Sequence, residues 1–214
     1  MHMKYLFLCV MGFYGCYACS NLSAEKATKS SEVKHKKTKT KGTLYLQPFD
    51  GLPLSTTRNV QEQLSHLYSG PIILRPSIPL PQNAVNLERE GRFHADTLIR
   101  FLSRQLGSSD LIIGLTNQDI TTAKNGNSSW GIMGLGFCPG NACIASTFRL
   151  KGTNRLEKLY KVAIHELGHT QGLQHCPVNS CLMRDAEGKD HLNEEKGFCP
   201  SCKNYLTKAG WNLK

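Results

Sequence analysis

His165-Glu166-Leu167-Gly168-His169-Thr170-Gln171-Gly172-Leu173-Gln174-His175 reads H-E-x-x-H-x-x-G-x-x-H. On a helix, His165 and His169 share a face, so two imidazoles can bind one Zn²⁺. Glu166 points beside that metal, where it can act on a zinc-bound water. Gly172 must then end the helix at once, so that His175 swings back as a third ligand. Glycine accepts the left-handed backbone that such a stop needs. A chance H-E-x-x-H is not rare. With only 19 glycines and 8 histidines in 214 residues, a Gly and a His at the two further offsets make coincidence a poor account.

The residues that follow extend the pattern. Cys176 adjoins His175, Cys181 comes next, Met183 follows two residues on, and Cys199 and Cys202 form a C-x-x-C. The long motif is the metzincin signature. With a cysteine straight after the third histidine, it resembles the archaemetzincins, a zinc metallopeptidase family of the metzincin clan. The resemblance spans about residues 43 to 207. The run between Met183 and Cys199 is slightly shorter than is usual for that family, which bears on one loop and not on the ligands.

The resemblance implies an α+β (mixed α/β) fold with a twisted, mostly parallel sheet, an active-site helix and a small C-terminal subdomain stapled by zinc. It implies two Zn²⁺ per chain. His165, His169 and His175 would hold the catalytic ion and Glu166 would serve as general base. Cys176, Cys181, Cys199 and Cys202 would hold a structural ion, with two disulfides as the rival reading in an oxidising compartment. Met183 would be the Met-turn residue beneath the zinc, a supporting role. The implied activity is peptide-bond hydrolysis, as an aminopeptidase or an endopeptidase. The alternative is a catalytically silent, membrane-tethered peptide-binding pseudo-enzyme, which the intact Glu166 weighs against.

Charge and cysteines bound the rest. The formal net charge is +10, which raises nucleic acid as a partner, with the cysteines as a zinc ribbon. The excess is concentrated, however. Lys26, Lys29, Lys34, Lys36, Lys37, Lys39 and Lys41 crowd one short stretch without interleaved aromatics, which reads as a solvated linker. No nucleic-acid partner is expected, and the chain is expected to be a monomer acting on peptides or proteins. Residues 1 to 18 begin with Lys4 and run apolar from Tyr5, as a signal peptide does. Ala18-Cys19-Ser20-Asn21 resembles a lipoprotein cleavage site, so Cys19 is a lipidation candidate and residues 19 to 42 a tether. A plain secretory signal is the rival. Either way the protein is expected to be exported, to the periplasm or cell surface if anchored. Residues 43 to 214 would form the peptidase domain. Of the nine cysteines, Cys138 and Cys143 are left as a local disulfide or two thiols.

Hydrophobic patterning supplies the elements. Residues 43 to 49 alternate like a strand. Residues 55 to 68 predict a helix with Val60, Leu64 and Leu67 inward. Residues 71 to 74 predict a short buried strand, and 93 to 106 a helix with Leu98, Phe101, Leu102 and Leu106 inward. The apolar run 111 to 115 predicts a central strand. Asn125-Gly126-Asn127 is a loop, and 131 to 137 and 143 to 148 are two more strands. Their glycines would let a substrate backbone approach. Asn154 and Glu157 form a capping box for a helix running to about Gln171, with Leu156, Leu159, Tyr160, Ala163 and Leu167 on its apolar face.

Overall fold

A computed structural model describes residues 42–107, 109–211 and 213. The expected leader, Cys19 and almost all of the expected tether lie outside the described residues.

The chain builds a mixed α/β fold around a five-stranded sheet. Its strands are β1 (Leu44–Pro48), β2 (Ile72–Leu74), β4 (Leu111–Thr116), β7 (Gly134–Gly136) and β8 (Ala142–Ser146). Their spatial order is β2-β1-β4-β8-β7, parallel throughout except for β7, which pairs antiparallel to β8 at the edge. Every residue of β4 is buried, because helices cover both faces, as a continuous apolar run requires. On one face lie α1 (Leu54–Ser65) and α3 (Arg155–Thr170). There Leu46, Ile113 and Ala145 of the sheet join Val60, Leu64, Leu159 and Leu167 in one core. On the other face α2 (Ala95–Ser103) packs Leu98, Ile99 and Leu102 against Ile112 and Ile144. A last helix, α4 (Pro200–Lys208), follows the C-x-x-C, with Cys199 as its N-cap and Pro200 at the first helical position.

Five sequence expectations need correction. The segment 71 to 74 is not buried. It forms the edge strand β2, with Ile73 45% exposed. The segment 93 to 106 starts as strand β3 (Arg92–His94) before α2 begins. The run 131 to 137 is broken at Met133. Its first part ends β6 (Asn127–Ile132), which hairpins with β5 (Asp119–Lys124) through Asn125 and Gly126, both at positive φ. Together β3, β5 and β6 make a separate three-stranded sheet. The capping box does not form, since the Asn154 side chain donates to Asn193 Oδ1 and Glu157 pairs with Lys161. On the same helix Leu156 faces solvent, and the inward apolar face starts at Leu159.

Helix α3 ends as its sequence requires. Gly172 adopts φ +92°. The Gly172 N–H donates to His169 O and the Leu173 N–H to Gly168 O, the two bonds of a Schellman stop. The Tyr205 hydroxyl of α4 donates to Gln171 O and satisfies another orphan carbonyl of the same helix end.

Candidate active site

A cleft of about 690 Å³ opens between β6 and β7 on one side and α3 with the loop after Met183 on the other. His165, Glu166, His169 and His175 all line it. One ring nitrogen from each histidine comes within 4.8 Å of the others.

Each imidazole is oriented by what its Nδ1 touches. His165 Nδ1 lies 2.6 Å from the Leu182 carbonyl and His169 Nδ1 2.7 Å from the Leu173 carbonyl. A carbonyl can only accept, so both Nδ1 atoms carry the proton and both Nε2 atoms keep a lone pair. These two Nε2 atoms face each other at 3.0 Å. Two lone pairs at that distance repel unless a cation lies between them, so the donor set fits a metal ion. His175 Nδ1 is 3.2 Å from Asp185 Oδ2. Asp185 was not singled out from the sequence. Its position just past Met183 was the available signal. Burial holds the His165 imidazole down to about 3 and also lowers His169. Both rings therefore stay neutral, as ligands must.

Glu166 is 8% exposed, and burial pushes its carboxyl up to about 8. The room it occupies comes from β7. A Cβ at Gly134 would lie 2.7 Å from Glu166 Cγ and Oε1, and one at Gly136 would meet Glu166 O at 2.7 Å. Gly131 likewise makes way for the Arg149 guanidinium. The space that a Cβ would take at these glycines is thus filled by atoms of Glu166 and Arg149. Met183 is fully buried against α3, where a Cβ on Gly168 would meet its Sδ at 2.5 Å. It lies directly under the helical turn that carries His169.

Cys176, Cys181, Cys199 and Cys202 form a second group, also with ligand atoms within 4.8 Å of one another. All four are free thiols. A backbone N–H from Cys202 holds the Cys199 thiol down to about 7, whereas burial raises Cys181 and Cys202. Four sulfurs converging within 4.8 Å match the donor set of a closed tetrahedral metal site, so this set too fits a metal. The Cys176 N–H donates to Met183 O at 2.7 Å, which ties the residue after His175 to the residue under α3. Cys138 and Cys143 are also thiols. Cys143 is buried in the sheet, and Cys138 donates to Leu173 O at the cleft wall.

Comparison with known proteins agrees with this geometry. The model of peptidase family M54 matches residues 56–208. The chain belongs to peptidase family M54. The archaemetzincin of Methanopyrus kandleri is 31% identical over 178 residues, covering 80% of this chain and 97% of that protein. Its crystal structure superposes with a TM-score of 0.67 over 80% of this chain and 96% of that one. The archaemetzincin of Haloquadratum walsbyi is 26% identical across 74% of this chain and 96% of its own length. A crystal structure of the Archaeoglobus fulgidus archaemetzincin, at 23% identity and a TM-score of 0.64, shares the fold. As an M54 member the chain is a zinc metallopeptidase, a hydrolase acting on peptides.

Proposed function

We propose that His165, His169 and His175 hold one zinc ion and that Glu166 is the general base of peptide hydrolysis. The observation that carries this reading is the facing pair of Nε2 lone pairs, with their Nδ1 protons tied to carbonyls and Glu166 recessed beside them. Zinc held by three neutral imidazoles supplies a Lewis acid that acidifies a water and polarises the scissile carbonyl. A cation held by the histidines would favour the ionised form of Glu166, which then accepts the proton from that water on a carboxylate oxygen and returns it to the leaving nitrogen. The Nδ1 partners of the three histidines fix ring orientation, and Asp185 adds negative charge behind His175. The outer edge of β7 offers backbone N–H and C=O groups to an extended peptide, which suits strand addition.

The four cysteines would hold a second, structural zinc. A closed thiolate shell leaves no position for water, so its work is geometric. Mature protein is then expected to carry two zinc ions per chain, and elemental analysis giving one would sink the second site. The working form would be an exported monomer tethered through lipid on Cys19. Cys19→Ala should move it from the detergent to the aqueous phase, and a wild-type protein already aqueous would leave a plain secreted enzyme.

The central test is Glu166→Ala in metal-replete protein. All ligands remain, so zinc content and folding should be unchanged, while hydrolysis falls by about 10²–10⁴-fold. Undiminished hydrolysis would place the catalytic centre elsewhere. A wild type that cleaves nothing in a broad peptide library would favour the peptide-binding pseudo-enzyme.

A further inference from the structure

Glu195 is 4% exposed and lies in the wall of the same cleft. Its Oε2 accepts no hydrogen bond among the described residues. A buried carboxylate without a partner is costly, and such groups in natural proteins call for an explanation.

Four cations of the neighbouring segments are directed to other partners. Lys161 Nζ donates to the Leu192 carbonyl and pairs with Glu157 at 2.7 Å. Lys158 Nζ pairs with Asp190 at 2.6 Å and donates to the Lys151 carbonyl. Arg184 pairs with Glu194 at 2.6 Å. Lys196 Nζ donates to the Asn193 carbonyl. Glu195 is the acid left over in this set.

The surroundings of Glu195 suit a particular guest. Val162, Leu192 and Met133 line the cleft together with Glu195. Val162 and Leu192 are buried core residues, and Met133 packs against the same core. An apolar wall with a carboxylate set into it matches a side chain with an aliphatic stem and a cationic head. Val162 precedes His165 by about one helical turn on α3, so such a side chain would belong to a residue close to the bond being cut.

We propose that Glu195 is a specificity residue that receives a lysine or arginine side chain of the peptide substrate. The inference rests on the peptidase reading above and deepens it. It commits one position of the cleft to a basic side chain, and Glu195 takes no part in the bond-breaking itself.

The test uses the full chain, metal-replete. Paired peptides carry lysine or its uncharged near-isostere norleucine at each position flanking the cleaved bond. At one position the wild type should favour lysine by about ten-fold or more in kcat/KM. Glu195→Gln should bring that ratio close to one, with zinc content and Tm showing that the variant is folded. Arginine in place of lysine then tells which cation the site prefers. A second arm needs no turnover: lysine and norleucine peptides are titrated into Glu166→Ala protein, with and without Glu195→Gln, and binding is read directly. Preferential binding of lysine without any wild-type hydrolysis would remove the peptidase reading and keep this one. Hydrolysis with no lysine preference, or a preference that survives Glu195→Gln, would overturn it.

Discussion

Gly134 stands so close to Glu166 that a single added carbon would lie 2.7 Å from both Cγ and Oε1 of the carboxylate side chain. Val162 Cγ1, at 2.8 Å, blocks the other way out. Gly134→Ala should therefore displace Glu166 while leaving all three histidines in place. A displacement of about 1 Å in a catalytic group costs up to about 10²-fold. The expected result is a fall in kcat of about 10–100-fold at unchanged zinc content. A variant with wild-type kcat would show that β7 does not set the position of the carboxylate.

Gly172 has two reasons to be glycine. Its φ of +92° disfavours any L side chain, and a Cβ would meet the Tyr205 hydroxyl at 2.9 Å. Gly172→Ala should cost about 1–3 kcal/mol of stability, read as a lower denaturation midpoint. Adding Tyr205→Phe removes the clash but also the bond to Gln171 O, and it leaves the backbone strain, so recovery should be partial. Full recovery would mean that the backbone contributes nothing.

Those two glycines mark how far the sequence could be read. The role of Gly172 follows from its place between His169 and His175, since both ligands can reach one metal only if the helix stops there. The histidine cluster and the central strand Leu111–Thr116 follow from spacing and continuous hydrophobicity, and the cysteine cluster from the resemblance. Gly134 was visible only as a glycine in a strand, because its neighbour Glu166 comes from a distant element. The three-stranded sheet was missed for a local reason. Asn127–Ile132 is polar and does not alternate, and Arg92–His94 runs straight into a helix whose periodicity masks it. Glu195 carried no local sign at all, since its burial comes from the folding of the loop after Met183.

Asp185 sits behind His175, the most exposed of the three histidines at 47% of its side-chain surface. Asp185→Asn keeps the shape and removes the charge. Affinity at the histidine site should fall by about 10–100-fold, as for other groups that orient a metal-bound imidazole. Zinc taken up at the proposed cysteine site should be unaffected. Competition with a graded series of chelators separates the two, and equal loss from both sites would count against Asp185 acting through His175.

Glu195 also predicts how stability depends on pH. Burial raises its carboxyl to about 7 from the ordinary 4.5. Lys161 and Arg184 pull it down, while Asp190 and Glu194 push it up. The folded state thus holds this proton more tightly than the unfolded chain. Below pH 4.5 both states are protonated and nothing is lost. Between pH 4.5 and 7 stability falls as pH rises, and above 7 the loss is complete. Glu195→Gln should leave Tm unchanged at pH 4 and raise it by about 2 °C or more at pH 8. Equal shifts at both pH values would mean that the effect is one of packing and not of charge.

The three-stranded sheet is attached to the rest by very short leashes. Two residues, Asn117 and Gln118, join β4 to β5, and Met133 alone joins β6 to β7. Both arms of the β5–β6 hairpin are therefore anchored in the sheet that carries Gly134. At its far side the hairpin meets the loop after Met183, where a Cβ at Gly188 would lie 3.3 Å from the Trp130 ring. Met133 is thus the single residue between the three-stranded sheet and Gly134, the glycine that faces Glu166. A partner or substrate that tilts the hairpin cannot do so without also moving the ledge against which Glu166 rests.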